Sequence, residues 1–386
     1  MEARTLQRRL AAALAGIAVA ALAVVACAVM LPAETEGATD ADYGYVYSGA
    51  KAEATSFVRA GMGEDTLLVL GSSEFSTPAS LVPQVPANTF GTHDYGMRLM
   101  LVGEAFDQAL WHAIALGAYA GEGVPRNKVA LIVGLGQYTD AGLDPSSFQE
   151  RFSWRLYRAF CRNDAIDEGV KRYVRRRLRE FGVAEHEIQA ATRSNVVDVV
   201  NDGALGLLSD LRLRRELEVV RSRGIPLAPG PAEAPDWEQM MADARACAAE
   251  MGSSNAWGAE DSFYNEQLAP ALDSLEGARA DETYQRSAEY ADLKCFLDVC
   301  DFCGIEPLVI IEPVMGPYYD HIGIARETRE AAYARIREVV AAHPAARLCD
   351  FTDHEYEPGF LFDIVHFGWC GWVSCEQALW DFWQEG

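Results

Sequence analysis

Four short runs, Thr66–Leu70, Met97–Val102, Val129–Val133 and Leu308–Ile311, are almost wholly apolar, and each gives way to a glycine or a loop. Helical stretches separate them. A strand with one face in water alternates apolar and polar residues, whereas a strand covered on both faces reads as a continuous apolar run. Arg347–Asp350 is a shorter fifth candidate. The alternation predicts an α/β fold, a doubly wound and mostly parallel sheet, with ligands meeting the carboxyl ends of the strands.

Between the third and fourth runs the chain turns helical and charged. Asp144-Pro145 is suited to cap a helix with proline just inside it. A helical insertion is expected over about 144–280, with a proline-rich linker at 226–235 and a further helix at Asp236–Met251. Arg172, Arg175, Arg176, Arg177 and Arg179 form a basic cluster in it, either a solvated helix face or an anion-binding one. The helix Glu289–Phe302 then leads back to the sheet.

From Leu10 to Pro32 no residue is charged, and a helix of that length crosses roughly 30 Å of hydrocarbon. Arg4, Arg8 and Arg9 precede it and favour an inside N-terminus. The expected organisation is a cytoplasmic segment 1–9, a transmembrane anchor 10–32, a stalk 33–63 and an extracytoplasmic catalytic domain 64–386. A cleaved signal peptide and a lipid on Cys27, after Val24-Val25-Ala26, are the alternatives. All but the cleaved form leave the domain at the cell membrane.

The formal net charge of −24 argues against nucleic acid as a partner. Nine cysteines in an exported chain permit disulfides without revealing their pairing. Cys300-x-x-Cys303 with Cys370 and Cys375 has loose zinc-site spacing, but no metal or other cofactor is expected.

The chemistry lies at the two ends of the domain. Ser73, in Gly71-Ser72-Ser73-Glu74, follows the first strand, and Asp363-x-x-His366 lies near the C-terminus. A serine hydroxyl needs a histidine to take its proton, and the histidine needs a carboxylate to hold its tautomer. The structural alternatives are a turn serine capping a helix, a histidine packed against Phe367, Trp369 and Trp372, and an aspartate that caps. Glu74 is suited either to pair with an ammonium group or to face a helix dipole. Tyr318, Tyr319, Asp320 and His321 follow the fourth strand and are expected to border the site, with Tyr318 and Tyr319 binding substrate.

A serine turn after the first strand, glycine after the second, an amide after the third and DxxH at the end resemble the SGNH hydrolase superfamily. Within it, the chain looks like the DltD family of D-alanyl-lipoteichoic acid biosynthesis proteins. The resemblance rests on the N-terminal anchor, Gly71–Glu74, the Gly103…Gln108-x-Leu110-x-His112 block, 287–292, Glu312–Asp320, and Asp350–Pro358 with Asp363…Trp372. It implies Ser73 as nucleophile, His366 as base, Asp363 as its orienter, and the Gly103 N–H and Gln137 amide as oxyanion donors. It further implies a membrane-anchored acyltransferase that places D-alanine on lipoteichoic acid, taking its D-alanyl donor from a membrane acyl-export machinery. Family members commonly read Ser-Pro-Gln-Trp-Phe after the third strand, where this chain has Leu135-Gly136-Gln137-Tyr138-Thr139. Two other functions remain open at this stage. An esterase or thioesterase removing D-alanyl groups would differ in needing no acceptor, and a non-catalytic assembly factor would keep its function without Ser73.

Overall fold

The computed structural model describes scattered positions between 9 and 26, then 44–52, 55–192, 211 and 234–385. All five expected strands form: β1 (Thr66–Leu70), β2 (Arg98–Val102), β3 (Lys128–Gly134), β4 (Glu306–Glu312) and β5 (Arg347–Asp350). Their order is β2-β1-β3-β4-β5, and every pairing is parallel. The fold is therefore α/β, with its topological switch point between β1 and β3, where the chain leaves β1 in opposite directions.

The apolar runs are explained by cover on both faces. Leu68, Leu70, Val129, Leu131, Val133, Val309 and Ile311 enter one core layer, while Leu67, Val69, Ala130, Ile132, Leu308 and Ile310 enter the other. Every residue of β1 is at most 1 % exposed. At roughly 1.5–3 kcal/mol for each fully buried aliphatic side chain, that burial offsets a backbone ordering cost of about 1–2 kcal/mol per residue.

The main helices are α1 (Ala109–Ala120), α2 (Pro145–Arg151), α3 (Trp154–Arg162), α4 (Glu168–Glu180), α5 (Trp237–Met251), α6 (Glu289–Cys303), α7 (Arg326–Ala341) and α8 (Trp369–Gln384). Helices α1 to α4, α6 and α7 cover the first layer, and α5 and α8 the second. Helices α2 to α5 occupy the stretch expected as the helical insertion. Asp144 caps α2 by accepting from the Ser146 N–H at 2.9 Å, and Asp236 caps α5 by accepting from Gln239 at 3.0 Å.

The basic cluster of α4 is largely neutralised by neighbours. Arg175 pairs with Glu168, Arg176 with Glu180 at 3.7 Å, Arg179 with Glu185 at 2.7 Å, and Arg177 reaches the buried Asp292 at 2.8 Å. That is the solvated, ion-paired face rather than an anion site. The eight described cysteines are all free. Cys300 packs on one side of the sheet and Cys370 and Cys375 on the other, so the zinc grouping does not assemble. Most of the expected anchor at 10–32, Cys27, positions 33–43 of the expected stalk and most of the 226–235 linker lie outside the described residues. The remainder of the stalk stretch packs onto the domain, with Val58 buried in its core. Among the described residues, no helix is long and apolar enough to cross a membrane.

Candidate functional site

The loops that leave the carboxyl ends of β1 to β4 meet the 363–367 segment around one cavity of about 280 Å³. Its lining includes Ser72, Ser73 and Glu74 after β1, Phe106 and Gln108 after β2, Gly136 and Gln137 after β3, Glu312 and Val314 at the end of β4, and His366. A larger cavity of about 330 Å³, lined by Arg155, Arg158 and Arg162, lies at the other end of α1. None of the expected site residues borders it.

Ser73 begins a single 3-10 turn, Ser73–Ser76, immediately beyond β1. This turn leaves the serine half-buried at the cavity wall. Ser73 Oγ lies 2.7 Å from His366 Nε2, across 293 residues of sequence. His366 Nδ1 in turn lies 2.6 Å from Asp363 Oδ2. The other carboxylate oxygen of Asp363 accepts the backbone N–H groups of Val365 (2.9 Å) and His366 (2.8 Å). Asp363 therefore fixes both the loop and the ring that the loop carries. Asx-type bonding of this kind explains why Asp suits a DxxH turn.

Burial alone would lower the pKa of His366. The hydrogen bond and charge of Asp363, with the charge of Glu74, more than reverse this, and the net shift is upward. Glu74 is 4 % exposed, and its Oε1 accepts the Ser72 N–H at 2.7 Å. Burial raises its pKa against the lowering effect of its backbone bonds and His366. Glu312 is equally buried and accepts the Phe367 N–H at 2.6 Å, which ties the end of β4 to the residue after the histidine. Burial first, then the charge of Glu74, pushes Glu312 well above the usual carboxyl range.

Of the expected oxyanion donors, Gln137 lines the cavity, and its side chain has no hydrogen-bond partner among the described residues. Gly103 does not line it. Its φ is +156°, and a Cβ there would stand 1.9 Å from the Gly71 carbonyl oxygen. Only glycine allows the ends of β1 and β2 to approach so closely. Tyr318 and Tyr319 do not border the cavity either. Tyr318 packs edge-on against Trp257 and Tyr319, and Tyr319 is buried with its hydroxyl behind Gly136.

Among the lining residues not singled out from the sequence are Glu312, Gln108 and Phe106. Glu312 and Gln108 sit inside quoted blocks, but nothing in those blocks distinguishes a lining residue from a neighbour. Phe106 stands four residues before Leu110, a spacing that suits one face of a helix. In the structure α1 starts three residues later, at Ala109, and Phe106 is 54 % exposed with φ +74°.

A family model described as DltD protein matches residues 47–384. The chain belongs to the DltD family. Relatives include Protein DltD of Bacillus subtilis, 25 % identical over 83 % of each chain. Protein DltD of Staphylococcus aureus is 25 % identical over 81 % of this chain and 79 % of its own. Protein DltD of Lacticaseibacillus rhamnosus is 21 % identical over 82 % and 77 %. The stretches by which this chain resembles the DltD family carry structural work around the cavity. In the 287–292 stretch, Glu289 accepts the Ala109 N–H at 2.7 Å, capping α1 just past Gln108, and Asp292 holds Arg177 and the Tyr173 hydroxyl. In 312–320 and 350–358, the fully buried Arg329 gathers Asp320, Glu355 and Tyr356.

Proposed function

We propose that this chain is an outward-facing, membrane-tethered acyltransferase of teichoic acid D-alanylation, the pathway in which the DltD family takes part. Ser73 is the nucleophile of the reading, His366 its base and Asp363 the base's orienter. A single observation carries it: the Ser73–His366–Asp363 chain of hydrogen bonds, 2.7 and 2.6 Å long, stands at the wall of a cavity above the sheet's switch point.

His366 takes the Ser73 proton as Oγ attacks the carbonyl of a D-alanyl ester or thioester. The tetrahedral oxyanion collapses, the donor's C–O or C–S bond breaks, and His366 returns the proton to the leaving group. A hydroxyl of lipoteichoic acid then attacks the seryl ester by the same steps in reverse. The Gln137 amide serves the oxyanion, and Gly103 holds the β1 and β2 ends together. One such donor contributes about 2.7–4 kcal/mol to transition-state stabilisation. Glu74, whose charge also acts on His366, favours an acyl group that carries an ammonium. Tyr319 acts in this reading from behind Gly136 rather than on the acceptor.

The full-length chain in detergent, incubated with a D-alanyl thioester, is expected to gain one D-alanyl mass increment. Ser73→Ala is expected to gain none. Labelling of both proteins alike would refute Ser73 as the nucleophile.

A further inference from the structure

Phe106 combines two unfavourable features at one position. Its backbone lies in the left-handed region at φ +74°, where a bulky L residue is a conformational outlier. Its ring is also among the most exposed large apolar side chains described in the domain, at 54 %. Glycine would remove both costs. Yet the ring lines the same cavity as Ser73 and His366. Strain of this kind persists where the surroundings over-determine it, and such sites cluster at functional positions.

The surroundings are explicit. On one side of Phe106, Gly103 is pressed against Gly71, and Tyr47 Oη accepts the Ala105 N–H at 3.1 Å. On the other, the fully buried Asp107 accepts the Glu104 N–H at 2.8 Å through Oδ2. Arg151, the last residue of α2, pairs with Glu104 and reaches Asp107 Oδ1 at 3.3 Å. Its own carbonyl accepts the Trp111 indole N–H at 3.0 Å. The first helix of the insertion therefore clamps the loop that presents Phe106.

We infer that Phe106 is a hydrophobic lip, held by the helical insertion, that shields the seryl ester from water and leaves transfer to a bulkier hydroxyl as the favoured exit. This rests on the acyl-enzyme reading above and deepens it. Water and a hydroxyl acceptor undergo the same step: the nucleophile's O–H proton passes to His366, its oxygen bonds to the carbonyl carbon, and the C–Oγ bond to Ser73 breaks with return of the proton to Oγ. Only access separates them. A phenyl ring over the ester excludes a solvent molecule that has no other contacts, whereas an acceptor recovers the ring's exposed surface as contact.

The test compares wild type, Phe106→Gly and Phe106→Tyr as full-length chains with a D-alanyl thioester and glycerol as acceptor. Free D-alanine and D-alanyl glycerol are both quantified. Glycine accepts a positive φ without strain, so the Gly variant keeps its fold. It is expected still to form the Ser73 adduct, while the ratio of hydrolysis to transfer rises about threefold or more. Phe106→Tyr keeps the wild-type ratio. An unchanged ratio in Phe106→Gly overturns the lip. The absence of any adduct on wild type overturns the acyl-enzyme as well, so the two failures are distinguishable.

Discussion

His366 shows how single residues set a pH window. Its pKa is held above the ordinary 6.5, because the carboxylates of Asp363 and Glu74 outweigh the effect of burial. In the proposed reaction His366 acts as a base only when neutral, so the rate of Ser73 acylation is expected to rise through a limb above that ordinary value. The linkage to stability has the opposite sign. A folded-state pKa above the unfolded one means that the His366–Asp363 pair stabilises the fold fully below about 6.5 and loses that contribution as pH climbs through the raised value. On that proposal, catalytic competence is gained over the window in which this pair ceases to stabilise. Asp363→Asn keeps an acceptor for the Val365 and His366 N–H groups but removes the charge. Its acylation rate is expected to drop about 10³- to 10⁴-fold, with the acidic limb moving to lower pH, as read from rate against pH by intact mass. A limb that stays in place would show that Asp363 does not tune the histidine.

At the scale of elements, the strands were legible because a strand covered on both faces has no polar positions to confuse its reading, and Thr66–Leu70 and Arg347–Asp350 match residue for residue. Helix α2 was legible through the capping Asp144, and α5 was placed to within one residue of its start, at Asp236, which caps it. The start of α1 was not, because Asp107 turns its carboxylate back onto Glu104 and postpones the helix past Phe106. Nor could spacing show that Ser73 and His366 meet, since only the sheet's winding brings those ends together; the chemistry of the two motifs suggested the pairing and the family resemblance supported it. Arg329 is another contact invisible in sequence. From α7 it binds Glu355 at 2.8–3.1 Å, Asp320 at 2.8 Å and the Ile324 carbonyl at 2.6 Å, with no exposure to solvent. Glu355→Ala leaves the guanidinium undercompensated and is expected to cost about 3 kcal/mol of unfolding free energy, measured by urea titration. A loss below about 1 kcal/mol would mean that Asp320 alone suffices.

For the whole molecule, the charge of −24 and the proposed product point in opposite electrostatic directions: an acidic protein adding cationic groups to an acidic polymer. Each ester placed on the polymer carries an ammonium. A strain lacking the gene is therefore expected to bind more of a cationic protein at its surface, and wild type, but not Ser73→Ala, should reverse this. Unchanged binding in the deletion would sink the wall-polymer reading, whereas rescue by Ser73→Ala would favour an assembly role. The thiols carry a different consequence. None of the eight described cysteines is bonded to another, and burial pushes the thiols of Cys295, Cys300 and Cys375 far towards the protonated, unreactive form. Among the described residues the fold thus has no covalent cross-link to wait for. Folding of such a domain is therefore expected to proceed alike in reducing and oxidising buffer.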